Sequence, residues 1–150
     1  MSLLNFNVSG TSESPTRLNT QVRNFRLIID EPETLGGEDQ GANPVEYILA
    51  GYAGCLNVVI HLVAKEKGIA IHQLKFDIHG DVNPEKLLGL SQQDRAGFKT
   101  IHVGIEVDSD ATESQVAELI REAKGRCPVN DTLSNPTPVS YSVNQKAIVN

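Results

Sequence analysis

The segment that most constrains this chain is residues 44–67. It opens on Asn43-Pro44-Val45-Glu46. Asparagine is a good helix N-cap, and proline suits the first helical position, where its missing N–H costs nothing. A glutamate three residues after the cap can reach back to the cap's own N–H. The pattern predicts a helix from Pro44 to Lys67 that ends at Gly68, a residue suited to the left-handed conformation of a helix terminus. Its apolar residues are Val45, Ile48, Leu49, Tyr52, Leu56, Val58, Val59, Ile60, Leu62 and Val63. They reach most of the way round the helix, and polar residues gather only at the end, in Lys65-Glu66-Lys67. Such a helix is expected to be buried on nearly every side. One domain of 150 residues has little material to surround a rod about 36 Å long. The sequence therefore predicts that a second subunit covers part of it.

The length fits one domain with a real core, by the rule of about 150 residues each. Residues 1–15 are polar and read as an arm, with a strand at 4–8, and 16–150 as the domain proper. No run of about 18 apolar residues stands out, so no membrane span is expected. Met1-Ser2-Leu3-Leu4-Asn5 has neither a basic start nor an apolar stretch, so a cytoplasmic protein is expected. The net charge of −6 argues against nucleic acid and anionic membrane surfaces as partners, because no positive field gathers phosphates. Two cysteines are too few for a disulfide scaffold. They are either buried apolar residues or working thiols.

The remaining pattern is mixed. Residues 16–22 and 25–30 read as a hairpin turning at Arg23-Asn24, and Pro32 stops the second strand. Residues 34–42 hold Gly36, Gly37 and Gly41 and read as a loop, either a solvated connection or a segment folded over a site. Residues 69–79 and 98–108 alternate as an antiparallel pair, with Ile101, Val103, Ile105 and Val107 inward. Thr112, with Gln115 three residues on, opens a second helix that carries a one-sided stripe of Val116, Leu119, Ile120 and Ala123 and ends at Gly125. A helical turn at 128–133 and a last strand at 139–143 complete an α+β order.

Chemistry can reside in few places. Cys55 follows Gly51 and Gly54 in the apolar helix, where it is either a small buried hydrophobe or a thiol that needs a nearby cation or donor to react. Cys127 precedes Pro128, which places it at a helix cap. There it is either an ordinary boundary residue or a thiolate favoured by backbone N–H groups, with Arg126 adding positive charge. His61, His72, His79 and His102 show no metal-ligand spacing with each other or with the cysteines, and no zinc site is expected. There is no phosphate-binding glycine motif and no Gly-x-Ser-x-Gly elbow.

Taken in order, three segments are similar to one family. Residues 43–55, Asn-Pro-Val-Glu-Tyr-Ile-Leu-Ala-Gly-Tyr-Ala-Gly-Cys, resemble the helix start and first cysteine of the OsmC/Ohr family. Gly97-Phe98-Lys99-Thr100-Ile101 resembles its next strand, and Arg126-Cys127-Pro128-Val129-Asn130 its second cysteine motif. Ile29-Asp30-Glu31-Pro32, followed by Leu35-Gly36-Gly37, looks like its OsmC-like branch. The resemblance implies an intertwined homodimer with antiparallel sheets around the long buried helices, and two sites at the subunit interface. It implies a cofactor-free peroxidase in which Cys55 attacks an organic hydroperoxide and Cys127 closes a disulfide with it. A dithiol, such as the lipoyl group of a lipoylated protein, would restore both. In this family an arginine on an N-terminal strand holds the reactive thiolate, and Arg17 matches it best, with Arg23 second. A glutamate directly after Asn-Pro holds that arginine. Here Val45 takes that place, and Glu46 lies one residue later, rotated by about 100° on the helix. Two other readings are a small-molecule-binding protein of the same fold with little or no peroxidase activity, and a purely structural dimer module.

Overall fold

The structure is a computed structural model, and it describes residues 1–145. The fold is α+β, as the sequence order predicts. The first sheet is antiparallel in the order β1 (Ser9–Ser12), β2 (Leu18–Val22), β3 (Phe25–Ile29). Its hairpin turns at Arg23-Asn24, with Val22 opposite Phe25 and Arg23 at φ 51°. The first strand lies at Ser9–Ser12 rather than at 4–8. Only the later residues reach β2, where Ser9 pairs with Gln21 and Ser12 with Leu18.

Between β3 and the long helix the chain makes one 3-10 turn, Glu33–Leu35. This loop is pinned rather than loosely solvated. Asp30, fully buried, accepts from the N–H groups of Glu31 (2.9 Å), Glu38 (3.2 Å) and Gln40 (3.2 Å). Gly37 lies so close to Glu31 that a Cβ there would stand 1.8 Å from the Glu31 carbonyl oxygen.

The long helix, α1, runs Pro44–Lys67 with both predicted ends. Glu46 N–H donates to Asn43 Oδ1 at 2.9 Å, and Asn43 N–H donates to Glu46 Oε2 at 2.8 Å. Gly68 closes the helix at φ 68°. A second antiparallel sheet follows, β4 (Ile71–Val82) paired with β5 (Phe98–Ser109). Both strands run further than the sequence pattern suggests. Helix α2 spans Glu113–Arg126, one residue past Gly125, and α3 spans Pro128–Ser134. The Thr112–Gln115 capping box forms as predicted.

The core lies between α1, α2 and the inner face of the β4–β5 sheet. Ile60, Val63, Leu119 and Ala123 are fully buried, with Leu74, Phe76, Ile78, Ile101, Val103 and Ile105 packed around them. Fully burying each large aliphatic side chain contributes roughly 1.5–3 kcal/mol. Arg126 clamps the ends of α1 and α2 together, donating to both carboxylate oxygens of Glu66 (2.6 and 3.0 Å) and to Glu122 (3.2 Å).

Two expectations change, and α1 keeps the open face that a covering subunit requires. Within one chain α1 is buried along one face only, through Tyr52, Leu56, Val59, Ile60, Val63 and Ala64. Val58 and Leu62 on the other face are 65% and 47% exposed. A single chain supplies layers for one side of the rod only. By length and a mean hydropathy of 1.7, α1 also meets the demands of a membrane span, contrary to the sequence expectation. Six of its residues are instead packed in the protein core. Residues 139–143 form no strand: Val139, Tyr141 and Val143 are exposed, and no neighbouring strand in the chain pairs with them.

Candidate active site

The two cysteines, 72 residues apart in sequence, meet. Cys127 Sγ lies 3.1 Å from Cys55 Sγ, with the Cys127 thiol placed to donate. A disulfide needs about 2.05 Å, so a shift of about 1 Å would join them. Both are reduced.

Each sulfur is positioned by local structure. Cys55 is half-buried on α1. Its helical neighbours Tyr52 and Val59 belong to the buried face, whereas Gly51 and Val58 belong to the open one. The thiol thus lies on the border between the core and the uncovered apolar stripe. Cβ atoms added at Gly51 and Gly54 would meet nothing within 4 Å, which leaves the helix surface beside Cys55 open.

Cys127 ends α2 and caps α3, with Pro128 at the first helical position, as predicted. Its sulfur accepts from the N–H of Asn130 at 3.4 Å. Of the two readings of this cap, burial weighs against the thiolate. Burial and the hydrogen bond to Cys55 push the Cys127 thiol up, and together they outweigh the N–H groups of Asn130 and Val129. Arg126 does not help, because its charge is engaged by Glu66 and Glu122. Burial thus works against a charge on Cys127.

A second hydrogen-bonded layer holds this arrangement. Tyr52 Oη donates to Asn130 Oδ1 at 2.5 Å, and Asn130 Nδ2 donates to the Lys124 carbonyl at 3.2 Å. Asn130 thereby ties α1, α2 and α3 together around the sulfurs. Burial first, and then the two neighbouring sulfurs, raises the Tyr52 phenol, so it stays protonated and able to donate. Neither residue was singled out from sequence. The spacing Cys127-x-x-Asn130 after a cap was the available signal, since the third helical N–H faces the cap side chain.

A cavity of about 650 Å³ opens beside the pair. Ile48, Leu56, Ile101, Val103, Ile105, Ile120 and Leu133 line it with apolar groups, and Arg95, Lys99 and Lys124 supply cations. Tyr52, Leu56 and Asn130 bring its wall next to the thiols, although neither sulfur lines it.

The other two predicted site residues lie elsewhere. Arg17 is held by Glu13 at 3.2 Å and by Glu38. Glu46 completes the α1 capping box. Arg23 sits over the ring of Phe25, 5.1 Å from its centre. Among the described residues, no hydrogen bond or ion pair joins Arg17, Arg23 or Glu46 to either thiol, or Glu46 to either arginine.

A family profile described as OsmC-like protein matches residues 37–142. A hydroperoxide reductase of Mycoplasma pneumoniae is 27% identical over 105 residues, which cover 70% of this chain and 71% of that protein. A hydroperoxide reductase of Mycoplasma genitalium is 24% identical over 131 residues, covering 85% and 86%. Among solved structures, an OsmC-like protein from Mycoplasma pneumoniae superposes with a TM-score of 0.77 at 21% identity, covering 87% of this chain and 88% of that one. An organic hydroperoxide resistance protein OsmC from Legionella pneumophila superposes at 0.68 with 19% identity, covering 89% and 91%. With the matched profile spanning both cysteines and most of the described fold, the chain belongs to the OsmC-like family.

Proposed function

We propose that the protein is a thiol peroxidase that reduces organic hydroperoxides through Cys55 and Cys127. The relatives' names support a peroxide-related role. The observation that carries the finer reading is the 3.1 Å separation of the two sulfurs. The Cys55 thiolate attacks the distal peroxide oxygen, the O–O bond breaks, and the alkoxide takes a proton and leaves as alcohol. Cys55 becomes a sulfenic acid. The Cys127 sulfur then attacks Cys55, a disulfide forms, and the hydroxyl departs with a proton as water. An external dithiol, such as a lipoyl group on a protein, reduces the disulfide and is itself oxidised. The cavity's apolar walls suit the organic part of the substrate.

The working form is a homodimer in a reducing compartment such as the cytoplasm. Three uncovered apolar surfaces support the dimer: the Val58–Leu62 face of α1, Phe25 and Leu27 of β3, and the extended Val139, Tyr141 and Val143. The first of these borders Cys55, so a second subunit seated there completes the site. The resemblance assigns Arg17 as the cation for the thiolate. In a single chain it is engaged elsewhere, so its delivery depends on the partner.

Titration with an organic hydroperoxide, followed by mass spectrometry, tests this reading. The expected result is loss of both thiols and a Cys55–Cys127 disulfide within one chain. Cys55→Ser abolishes turnover, and Cys127→Ser accumulates the Cys55 sulfenic acid. Thiols that stay inert to hydroperoxide would leave a binding protein of the same fold as the correct reading.

A further inference from the structure

We propose that His79 and His102 form a site for a divalent cation of the Zn²⁺ class on the outer face of the β4–β5 sheet. The two residues are direct cross-strand partners. Lys75, Asp77, His79 and Asp81 point to the exposed side of β4, while Leu74, Phe76 and Ile78 face the core. His102 also lines the rim of the cavity beside the thiols, and neither histidine hydrogen-bonds to a sulfur among the described residues.

The geometry carries the assignment. The imidazole ring centres are 5.1 Å apart and inclined at 39°, which is not a stacked arrangement. Two imidazoles bound to one tetrahedral Zn²⁺, each at about 2.1 Å, have ring centres about 5 Å apart. The sheet therefore holds the rings at the spacing a shared ion requires. Opposite residues of an antiparallel pair keep that spacing without ordering a loop.

The surrounding charge is of the right sign. Asp77 Oδ2 stands 3.9 Å from His79 Nδ1, so a carboxylate lies beside the ring. Asp81 lies two residues further along the same face, opposite Thr100. The residue opposite Asp77 is Gly104, so no side chain blocks Asp77 from swinging across. Among the described residues no three His, Cys, Asp or Glu side chains already converge on one point. Rotation of the exposed Asp77 and Asp81 side chains toward the rings completes a four-ligand shell. Two neutral imidazoles with two carboxylates would balance the charge of the ion.

Co²⁺ titration of the full chain tests the site, because tetrahedral Co²⁺ absorbs in the visible and a thiolate ligand adds a separate near-ultraviolet band. The expected result is visible absorption that saturates at about one ion per chain, lacks the thiolate band, and is displaced by Zn²⁺. His79→Ala and His102→Ala should each weaken binding about tenfold or more, and Asp77→Asn/Asp81→Asn combined several-fold. His72→Ala should change nothing, since His72 is held by Asp110 at 2.9 Å. Circular dichroism confirms that these surface variants fold. A thiolate band that disappears with Cys55→Ser, an affinity indifferent to both His79→Ala and His102→Ala, or no saturable binding overturns the proposal.

Discussion

Tyr52 donates to Asn130 at 2.5 Å, joining the turn of α1 before Cys55 to the turn of α3 after Cys127. Neither residue supplies an electron or proton to the peroxide in the mechanism proposed. Their role is to hold one sulfur against the other. Tyr52→Phe should leave the rate of sulfenic acid formation unchanged and slow disulfide closure by about three- to tenfold, the loss of one buried hydrogen bond. Asn130→Ala should slow closure at least as much, since it also frees the Lys124 carbonyl. Stopped-flow detection of the sulfenic acid and of the disulfide separates the two steps.

The capping role of Glu46 is distinguishable from the arginine-holding role that the family pattern suggests. Asn43→Ala should destabilise the protein by about 1 kcal/mol, read by chemical denaturation. Glu46→Gln should retain stability and hydroperoxide reactivity, because glutamine also completes a capping box. A large loss of reactivity in Glu46→Gln would show that its charge acts on the thiol site. Arg17→Ala, by contrast, should slow the first step of the dimer about tenfold or more.

The open face of α1 should behave as an interface. Leu62→Asp, which places a charge on an exposed residue of the monomer, should yield a folded single chain with little peroxidase activity. Sedimentation analysis of wild type and variant reads this. A wild-type chain that sediments as a monomer would remove the basis of the dimer.

Asp30 should make stability depend on acid pH. Burial raises its carboxyl, but the N–H of Gln40, the hydroxyl of Thr16 and the N–H groups of Glu31 and Glu38 favour the charged form, and the balance holds it below the usual range. The unfolded chain, with a carboxyl near ~3.9, therefore takes up this proton more readily than the fold. The contribution to stability is complete above that value and is lost as pH falls through the lower folded value. Asp30→Asn should lower the melting temperature at neutral pH and lose less on acidification than wild type does.

Leu119 tests the core that seats α2. It is fully buried against α1, and Leu119→Ala should destabilise by about 2–5 kcal/mol. Guanidinium unfolding curves provide the comparison.

Much of this architecture is local and was therefore written in the sequence. The Asn43–Glu46 and Thr112–Gln115 boxes are contacts across three residues, Gly68 ends α1 through its own backbone, and Pro128 marks the start of α3. The alternation in β5 reports which side chains face a core. The position of Cys127 at a cap follows from the same short-range rules. What lies outside their reach is any property set by partners distant in the chain. Among the described residues, the segments 4–8 and 139–143 carry suitable residues but pair with no strand, whereas Ser9–Ser12 pairs with β2. The cap left a thiolate and an ordinary boundary residue open at Cys127, and burial, which depends on packing, weighs against the thiolate. The meeting of Cys127 with Cys55, and of Asn130 with Tyr52, depends on how α1 and α2 pack. Periodicity encodes which face of a helix is apolar; which apolar surface covers that face, and hence which sulfur meets which, is decided by long-range packing.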